Sequence, residues 1–173
     1  MKLLILTGQR LREVSEMEWK EIDLDAKLWT LPAARAKNGV EHSIPLSDQA
    51  ADILKALPRA GSDFVLTLNG RNPIRGTPLI KRRIDKLAPP MPPWVLHDIR
   101  RTVASGMAKL GINLPVIEKL LNHVSGSFAG IVGVYQRHSF ADEKRAAMAA
   151  WARHVQAIVS GEAAANVVPL KKA

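Results

Sequence analysis

The stretch LHDIRRTVASGMAKLGINLPVIEKLLNH, residues 96–123, decides the fold of this chain, because it predicts two successive helices. The first, HDIRRTVASGMAKLG, ends at Gly111, and glycine is the commonest residue just beyond the last turn of a helix. The second, NLPVIEKLLNH, starts with Asn113 as its N-cap and carries an apolar face formed by Ile117, Leu120 and Leu121. This part of the chain is therefore expected to be a helical core.

Towards the N terminus the pattern is mixed. KLLILTGQRLREVSEM has apolar residues at helical spacing, interrupted at Gly8. EIDLDAKLWTLP and EHSIPL are typical of short strands, and Asn38-Gly39 between them is a strong hairpin signal. Further on we expect a helix that starts after Ser47 and stops at Pro58, a short extended piece in DFVLTL, and a basic helix that opens at Thr77-Pro78.

Towards the C terminus the helical signal continues. APPMPP is a stiff connector, a third and shorter helix is expected to carry Tyr135, and SFADEKRAAMAAWARHVQAI follows as a further helix. That helix has an apolar stripe of Met148, Trp151, Val155 and Ile158. The sequence thus predicts an α+β fold that is mainly α-helical with a small antiparallel sheet, formed by residues 1–158, with residues 159–173 as a flexible tail.

Composition limits the class of protein. The 173 residues, 47% hydrophobic and 24% charged, suit one compact domain with a real core. The absence of cysteine excludes disulfides, zinc sites built on thiolates and cysteine nucleophiles. No apolar run approaches the roughly 20 residues of a membrane span, and we expect no membrane partner.

Positive charge is concentrated in one region. The formal net charge is +9, and residues 71–110 hold nine Lys/Arg against only Asp85 and Asp98. Clustered basic residues are the electrostatic footprint of a polyanionic partner. A basic surface that serves solubility explains the same charge, so charge alone leaves both interpretations open.

Several residues could perform chemistry, each with a plainer alternative. His97 and Arg100 are three apart and share a helix face, where both could donate to one anion, although solvated pairs of this kind are common. Arg10 follows a glycine that permits close approach of a ligand, and Glu13 could hold Arg10 or Arg12 in place, as in an ordinary surface ion pair.

The other candidates are equally ambiguous when taken singly. Lys37 lies beside the hairpin turn and could simply be solvated, while His123 could cap the end of its helix. Tyr135, the one tyrosine of the chain, could be a core or interface residue. The five histidines suggest no metal site, and the lack of a Walker-type loop gives no indication of ATP, so no cofactor is expected.

Taken in order, these residues resemble the catalytic set of the tyrosine recombinase or phage integrase family. The matching stretches are TGQRLRE, RAKNGVEHSIPL, LHDIRRT, LLNH and VYQRH, with His123 placed 23 residues after Arg100 and Tyr135 placed 12 residues after His123. The ending VYQRHSFADEKRAAMAAWARHV is most similar to integrases of genomic islands and P4-like prophages. The resemblance covers nearly the whole chain and implies the tyrosine recombinase catalytic-domain fold.

The resemblance also implies a site-specific recombinase that cleaves and rejoins DNA through a 3′-phosphotyrosine. Tyr135 would be the nucleophile, and Arg10 and Arg100 would hold the non-bridging phosphate oxygens. Lys37 would protonate the leaving 5′-oxygen. His97 would assist proton transfer at the nucleophile, and His123 would donate a hydrogen bond to a phosphate oxygen.

Its implied partner is double-stranded DNA, bound by a tetramer of protomers that could be monomeric in isolation, with DNA-bending accessory proteins as further partners. The expected location is cytoplasmic, at the nucleoid. Basic residues expected to contact flanking DNA phosphates are Arg75, Lys81, Arg82, Arg83 and Arg101. A solvated helix face remains the alternative for KRRIDK.

Family members carry a core-binding domain, and many an arm-binding domain, ahead of this region, so we expect this chain to be an N-terminally truncated catalytic domain. Three hypotheses follow: a competent recombinase domain, a DNA-binding remnant in which truncation has unseated Arg10, and a helical regulatory protein that binds nucleic acid by charge alone.

Overall fold

The computed structural model describes residues 1–59, 61–75, 77–123 and 140–161. Within these ranges helices surround one small sheet, as expected for the predicted α+β, mainly helical class. The helices are α1 (Lys2–Thr7), α2 (Leu11–Ser15), α3 (Asp48–Lys55), α4 (Thr77–Leu87), α5 (Leu96–Lys109), α6 (Leu114–Leu120) and α7 (Ala141–Ser160), with a 3₁₀ turn at Trp19–Glu21. The strands are β1 (Ile22–Asp23), β2 (Leu28–Leu31) and β3 (His42–Pro45).

The three strands form one antiparallel sheet in the order β1-β2-β3. Leu28 pairs with Pro45 and Leu31 with His42, so β2 and β3 form the predicted hairpin. Its connection spans residues 32–41, and Gly39 has the positive φ of 69° that the Asn-Gly signal predicts. EIDLDAKLWTLP holds two strands, because the chain reverses before Lys27, which has a φ of 50°.

Gly8 ends α1 in the left-handed conformation, with a φ of 65°, and donates its N–H to the Leu4 carbonyl at 2.9 Å. A Cβ atom at this position would lie 2.8 Å from Leu121 Cδ2 and 3.0 Å from Val103 Cγ1. Glycine is therefore required twice, for its backbone angle and for the close approach of α1 to α5 and α6. This contact places the residues after Gly8 beside the end of α6.

Two apolar clusters hold the elements together. The first lies between the sheet, α1, α2 and α3, and its fully buried members include Met17, Trp29, Leu31, Ile44 and Leu54. As predicted, α3 starts after Ser47, whose hydroxyl accepts the Ala50 N–H at 3.3 Å, and it buries Ala50 and Leu54.

The second cluster packs α5, α6 and α7 around Val103, Met107, Leu120 and Met148. Trp151 is buried in this cluster, and its indole N–H donates to the Ile5 carbonyl at 2.8 Å. α7 therefore packs on the rest of the described chain through Met148, Trp151 and Val155. Ile158 does not continue this stripe, since it is 66% exposed.

Some local predictions were wrong. DFVLTL forms no regular strand and contributes only isolated bridges, between Phe64 and Glu18 and between Thr67 and Pro73. α3 ends at Lys55, before Pro58, because the chain turns off at the Ala56 C-cap. Two other predictions are not tested, because the short helix expected to carry Tyr135 and most of the expected tail lie outside the described residues. Of the tail, residues 159–160 end α7 and Gly161 is its C-cap.

Candidate active site

Arg100 is the most deeply placed of the candidate residues. Its side chain projects from the first turns of α5, and the residue is only 4% exposed. Nη1 donates to the Gly8 carbonyl at 2.7 Å, and Nη2 donates to the Leu121 carbonyl at the end of α6. The predicted helix-face residue is thus a cation held by two backbone carbonyls, with its remaining N–H groups available for an anion.

Arg10 binds the next carbonyl of the same segment. Nη2 of Arg10 donates to the Asn122 carbonyl at 3.3 Å, while Nη1 donates to Glu13 Oε1 at 3.1 Å. The other carboxylate oxygen of Glu13 accepts the backbone N–H of Arg10 at 3.0 Å. Glu13, which is 3% exposed, therefore orients Arg10 through both oxygens. Of its two predicted partners, Arg10 and Arg12, Glu13 pairs with Arg10.

The Leu120 carbonyl, which precedes these two in the chain, also accepts hydrogen bonds. Leu120 accepts a hydrogen bond from Gln9 Nε2 at 2.8 Å and another from His42 Nε2 at 2.9 Å. Successive carbonyls at the end of α6 thus bind polar groups from the connection between α1 and α2, from α5 and from β3. Such carbonyls have no partner within their own helix, which makes them natural acceptors for cations and amides.

Lys37 lies on the connection between β2 and β3, with an exposed side chain. Its backbone N–H donates to Glu13 Oε1 at 3.4 Å, and the same oxygen accepts from Arg10. Two residues earlier, Arg35 makes a forked pair with the buried Glu21, at 2.7 Å through Nε and 2.6 Å through Nη2. The lysine is therefore exposed, but the backbone that carries it is anchored.

His123 follows the end of α6, and its backbone N–H donates to the Glu118 carbonyl at 3.0 Å. The residue before it, Asn122, has a φ of 49° and exchanges two side-chain hydrogen bonds with Asn38 of the hairpin connection, at 2.7 and 3.1 Å. The histidine is exposed at the point where α5, α6 and the hairpin meet.

His97 opens α5 and is exposed. It lines a small cleft together with Gln9, Arg10 and Arg100. Gln9 is 2% exposed, and its Oε1 is buried without a hydrogen-bond partner among the described residues. The cleft is therefore lined by two guanidinium-bearing residues and an imidazole-bearing residue.

The electrostatics agree with an anion site. Burial and, to a smaller extent, the nearby charge of Arg10 lower the pKa of Arg100 to about 10, so the group stays cationic at neutral pH. Burial lowers the pKa of His123 below its usual value, and the positive charges of Arg100 and Arg10 act in the same direction. Both arginines repel further positive charge, and an anion placed between them would relieve that repulsion.

The structure brings together Arg10, Lys37, His97, Arg100 and His123 around the end of α6. Tyr135 lies outside the described residues. Sequence reasoning missed the hydrogen-bonded partners that hold this set, namely Gln9, Arg35, Glu21, His42, Asn38 and Asn122. Asn38 carried a signal only as part of the Asn-Gly turn, and Asn122 carried one as a residue that tolerates positive φ at a helix end, where glycine is more usual.

The basic residues expected to contact flanking DNA divide into two groups. Lys81 and Arg101 are engaged by carboxylates, with Lys81 Nζ 2.7 Å from Asp85 Oδ2 and Arg101 Nη1 2.6 Å from Asp98 Oδ1. Lys81 also lies 4.3 Å above the Trp94 ring. The other three of these five residues, Arg75, Arg82 and Arg83, are exposed and form no ion pair with any described residue.

Among the described residues no three His, Asp or Glu side chains cluster as metal ligands would. In the same part of the chain, no helix combines the length and the apolarity needed to cross a bilayer.

Most of the chain matches a known protein family. Residues 1–141 match the model of the phage integrase family. The chain is 31% identical over 161 residues to the prophage integrase IntA of Escherichia coli strain K12, covering 91% of this chain and 38% of that protein. Prophage integrase IntZ of the same strain is 32% identical over 169 residues, covering 93% and 40%. The chain belongs to the phage integrase family and spans about 40% of the length of these relatives.

Solved structures share the fold. The integrase from mycobacterium phage Brujita matches with a TM-score of 0.61 at 16% identity, covering 85% of this chain and 49% of that one. The Tn1549 transposon integrase in complex with circular intermediate DNA matches with a TM-score of 0.56 at 16% identity, covering 84% and 55%. The predicted tyrosine recombinase catalytic-domain fold is confirmed.

Proposed function

We propose that this chain is the catalytic domain of a site-specific DNA recombinase that cleaves and rejoins DNA through a covalent tyrosine intermediate. One observation carries the proposal: in a member of the phage integrase family, Arg10 and Arg100 bind adjacent carbonyls at the end of α6 and line one cleft with His97. Two buried or half-buried guanidinium groups that face one cleft suit a phosphodiester.

In the proposed reaction, the phenolic oxygen of Tyr135 attacks the scissile phosphorus and a new P–O bond forms. The phenol proton leaves with the help of His97. The bond from phosphorus to the 5′-oxygen breaks, and Lys37 gives that oxygen its proton, so the products are a 3′-phosphotyrosine and a free 5′-hydroxyl. Arg10, Arg100 and His123 stabilise the charge that builds on the non-bridging oxygens. Rejoining reverses these steps and needs no external energy source, because the ester bond is conserved.

The proposed substrate is duplex DNA. The exposed basic residues support this, and the Tn1549 integrase has the same fold and is seen in complex with DNA. Arg75, Arg82 and Arg83 would neutralise flanking phosphates without reading bases. Lys81 and Arg101 would first have to exchange the carboxylates of Asp85 and Asp98 for phosphates.

The proposal extends to the assembly. Strand exchange would use a tetramer on the attachment sites, with DNA-bending proteins as accessory partners, in the cytoplasm at the nucleoid. The catalytic domain would comprise residues 1–158, with residues 159–173 as a tail. Helix α7 continues without interruption past residue 158. The boundary at residue 158 therefore marks the end of the packed part of the domain and not the end of the helix.

A catalytically inactive DNA-binding remnant was the alternative of a different class. It required an unseated Arg10, but Arg10 is held by two oxygens of Glu13 and by the Asn122 carbonyl. This geometry favours the catalytic proposal over the remnant.

The test uses nicked duplexes tiled across the DNA that flanks the gene, mixed with the chain and with Tyr135→Phe. We expect a denaturant-resistant protein–DNA adduct with the parent and none with the variant, because the variant lacks the nucleophilic oxygen, while DNA binding by the two is equal within about threefold. The measurement is a gel shift under native and denaturing conditions.

Two results would contradict the proposal. One is an adduct of unchanged yield with Tyr135→Phe. The other is the absence of any adduct, both from this chain and from this chain joined to the N-terminal region of one of its longer relatives.

A further inference from the structure

A reciprocal amide pair joins the hairpin connection to the end of α6. Asn38 Nδ2 donates to Asn122 Oδ1 at 2.7 Å, and Asn122 Nδ2 donates back to Asn38 Oδ1 at 3.1 Å. The two residues are 84 positions apart in the chain, and both are half-buried. Two antiparallel hydrogen bonds between planar groups fix distance and orientation together, which a single bond does not.

Each partner is the chain neighbour of a residue with a proposed role in the reaction. Asn38 follows Lys37 directly, and Asn122 precedes His123 directly. The Lys37 N–H also contacts Glu13 Oε1 at 3.4 Å, so the backbone at positions 37 and 38 is held from two sides. The pair thus fixes the turn that bears Lys37 relative to the end of α6.

The chemistry of Lys37 explains why such a contact would matter. An ammonium on a flexible, exposed side chain samples many positions, and proton transfer to a leaving oxygen demands a narrow one. Anchoring the backbone beside the lysine reduces the number of positions that the ammonium samples. The position matters, because displacement of a proton donor by about 1 Å can reduce the rate by 10²-fold.

We propose that Asn38 and Asn122 are positioning residues that hold Lys37 where it protonates the leaving 5′-oxygen; this inference rests on the proposed function. The pair itself contacts neither phosphate nor sugar. Its effect is confined to the step in which the bond from phosphorus to the 5′-oxygen breaks.

Variants can separate the amide pair from the backbone. Asn122 has a φ of 49°, an angle that glycine adopts without strain, so Asn122→Gly removes the amide and keeps the backbone. Asn38→Asp keeps the shape of the side chain but turns an oxygen towards Asn122 Oδ1. Asn113→Ala is the matched control, since Asn113 is exposed and its side chain makes no capping hydrogen bond.

The experiment measures single-turnover cleavage of the duplex that gives the adduct, made with either oxygen or sulfur at the 5′-bridging position. A thiolate leaves without protonation, because a thiol has a pKa near 8.5, far below that of an alcohol. On the oxygen duplex we expect Asn38→Asp and Asn122→Gly each to slow cleavage by roughly 10- to 100-fold. On the sulfur duplex we expect both to cleave within about threefold of the parent, as Lys37→Ala does.

The double variant should be no slower than the worse single variant, because both changes break one contact. Asn113→Ala should match the parent on both duplexes. Thermal unfolding of each variant verifies that the protein measured is folded.

Two results would overturn the inference while leaving the proposed function intact. If the variants cleave the oxygen duplex at the parent rate, the pair does not position the lysine. If they are equally slow on both duplexes, the pair supports the fold or another step. A parent that forms no adduct on either duplex overturns the proposed function first and the inference with it.

Discussion

His42 is a buried titratable residue with no role in the proposed chemistry. It lies on β3, and its Nε2 donates to the Leu120 carbonyl at 2.9 Å. Burial lowers its pKa to about 4, and the charges of Lys144 and Arg100 contribute to this, against the opposing effects of the Leu120 hydrogen bond and Glu13. The ring is therefore neutral in the folded protein at neutral pH, and its role is to secure the end of α6.

This residue predicts a pH dependence of stability. The pKa is about 4 in the folded chain and about 6.5 when unfolded, so the unfolded chain binds more protons between these values. The contribution of neutral His42 to the free energy of unfolding is complete well above pH 6.5 and declines as the pH falls. At pH 4 the loss is about 3 kcal/mol. The measurement is the free energy of unfolding by urea between pH 4 and 8.

His42→Gln is the matched variant, because its amide nitrogen can still donate to Leu120 but does not titrate. Its unfolding free energy should lose less than that of the parent as the pH falls from 6.5 to 4. Parallel curves for parent and variant would show that His42 does not determine this pH dependence.

At the scale of elements, the hairpin connection is held by more than its turn. Arg35 donates two hydrogen bonds to the carboxylate of the buried Glu21, which also accepts the Trp29 indole N–H at 3.0 Å. Trp29 is fully buried on β2, so this network ties the connection to the first core. The Asn38–Asn122 pair ties the same connection to α6, and the two anchors together place Lys37.

Arg35→Ala should destabilise the protein by about 3–5 kcal/mol, because it leaves the Glu21 carboxylate buried without its cation. The double variant Arg35→Ala with Glu21→Gln should recover part of this loss, since no uncompensated charge is then buried. Chemical denaturation of the single variants and the double variant measures the coupling. Additive losses would mean that Arg35 and Glu21 stabilise the connection independently.

At the scale of the whole molecule, the cations that line the cleft and the exposed cations differ in whether other groups hold them. The cleft cations are held by carbonyls and by Glu13, whereas Arg75, Arg82 and Arg83 extend into solvent without ion pairs among the described residues. In the proposed function, the solvated cations would replace the counterions of DNA, and the held cations would bind one phosphate.

This division predicts how DNA binding responds to salt. Arg82→Ala should reduce the slope of log K against log salt concentration by about 0.9, the value for one lost phosphate contact. Arg153→Ala, which removes the same charge from α7, is the control and should leave the slope unchanged. The measurement is fluorescence anisotropy of a labelled duplex across salt concentrations, and equal slopes for Arg82→Ala and the parent would remove Arg82 from the interface.

Local patterns were sufficient for most elements, whereas the candidate site residues came from the family resemblance and their roles stay predictions. Apolar spacing predicted α1, α3, α5, α6 and α7, and the Asn-Gly signal predicted the β2–β3 hairpin. DFVLTL was misjudged, because strand formation depends on a neighbouring edge and that segment found only single bridging residues. The stripe on α7 was predicted one turn too long, since periodicity does not indicate where the partner surface ends.

By itself, the sequence determined which residues could act and in what order they occur, because side-chain chemistry and the spacing of motifs are local properties. Only the tertiary structure decided what holds them. Gln9 and His42 meet at one carbonyl, Glu13 joins Arg10 to the Lys37 backbone, and Asn38 pairs with Asn122 across 84 positions. The contacts of Gln9 and His42 depend on carbonyls at the end of α6 that have no partner within their own helix. Apart from the local pair of Arg10 and Glu13, no local pattern encodes these contacts, because packing between distant segments determines the partners.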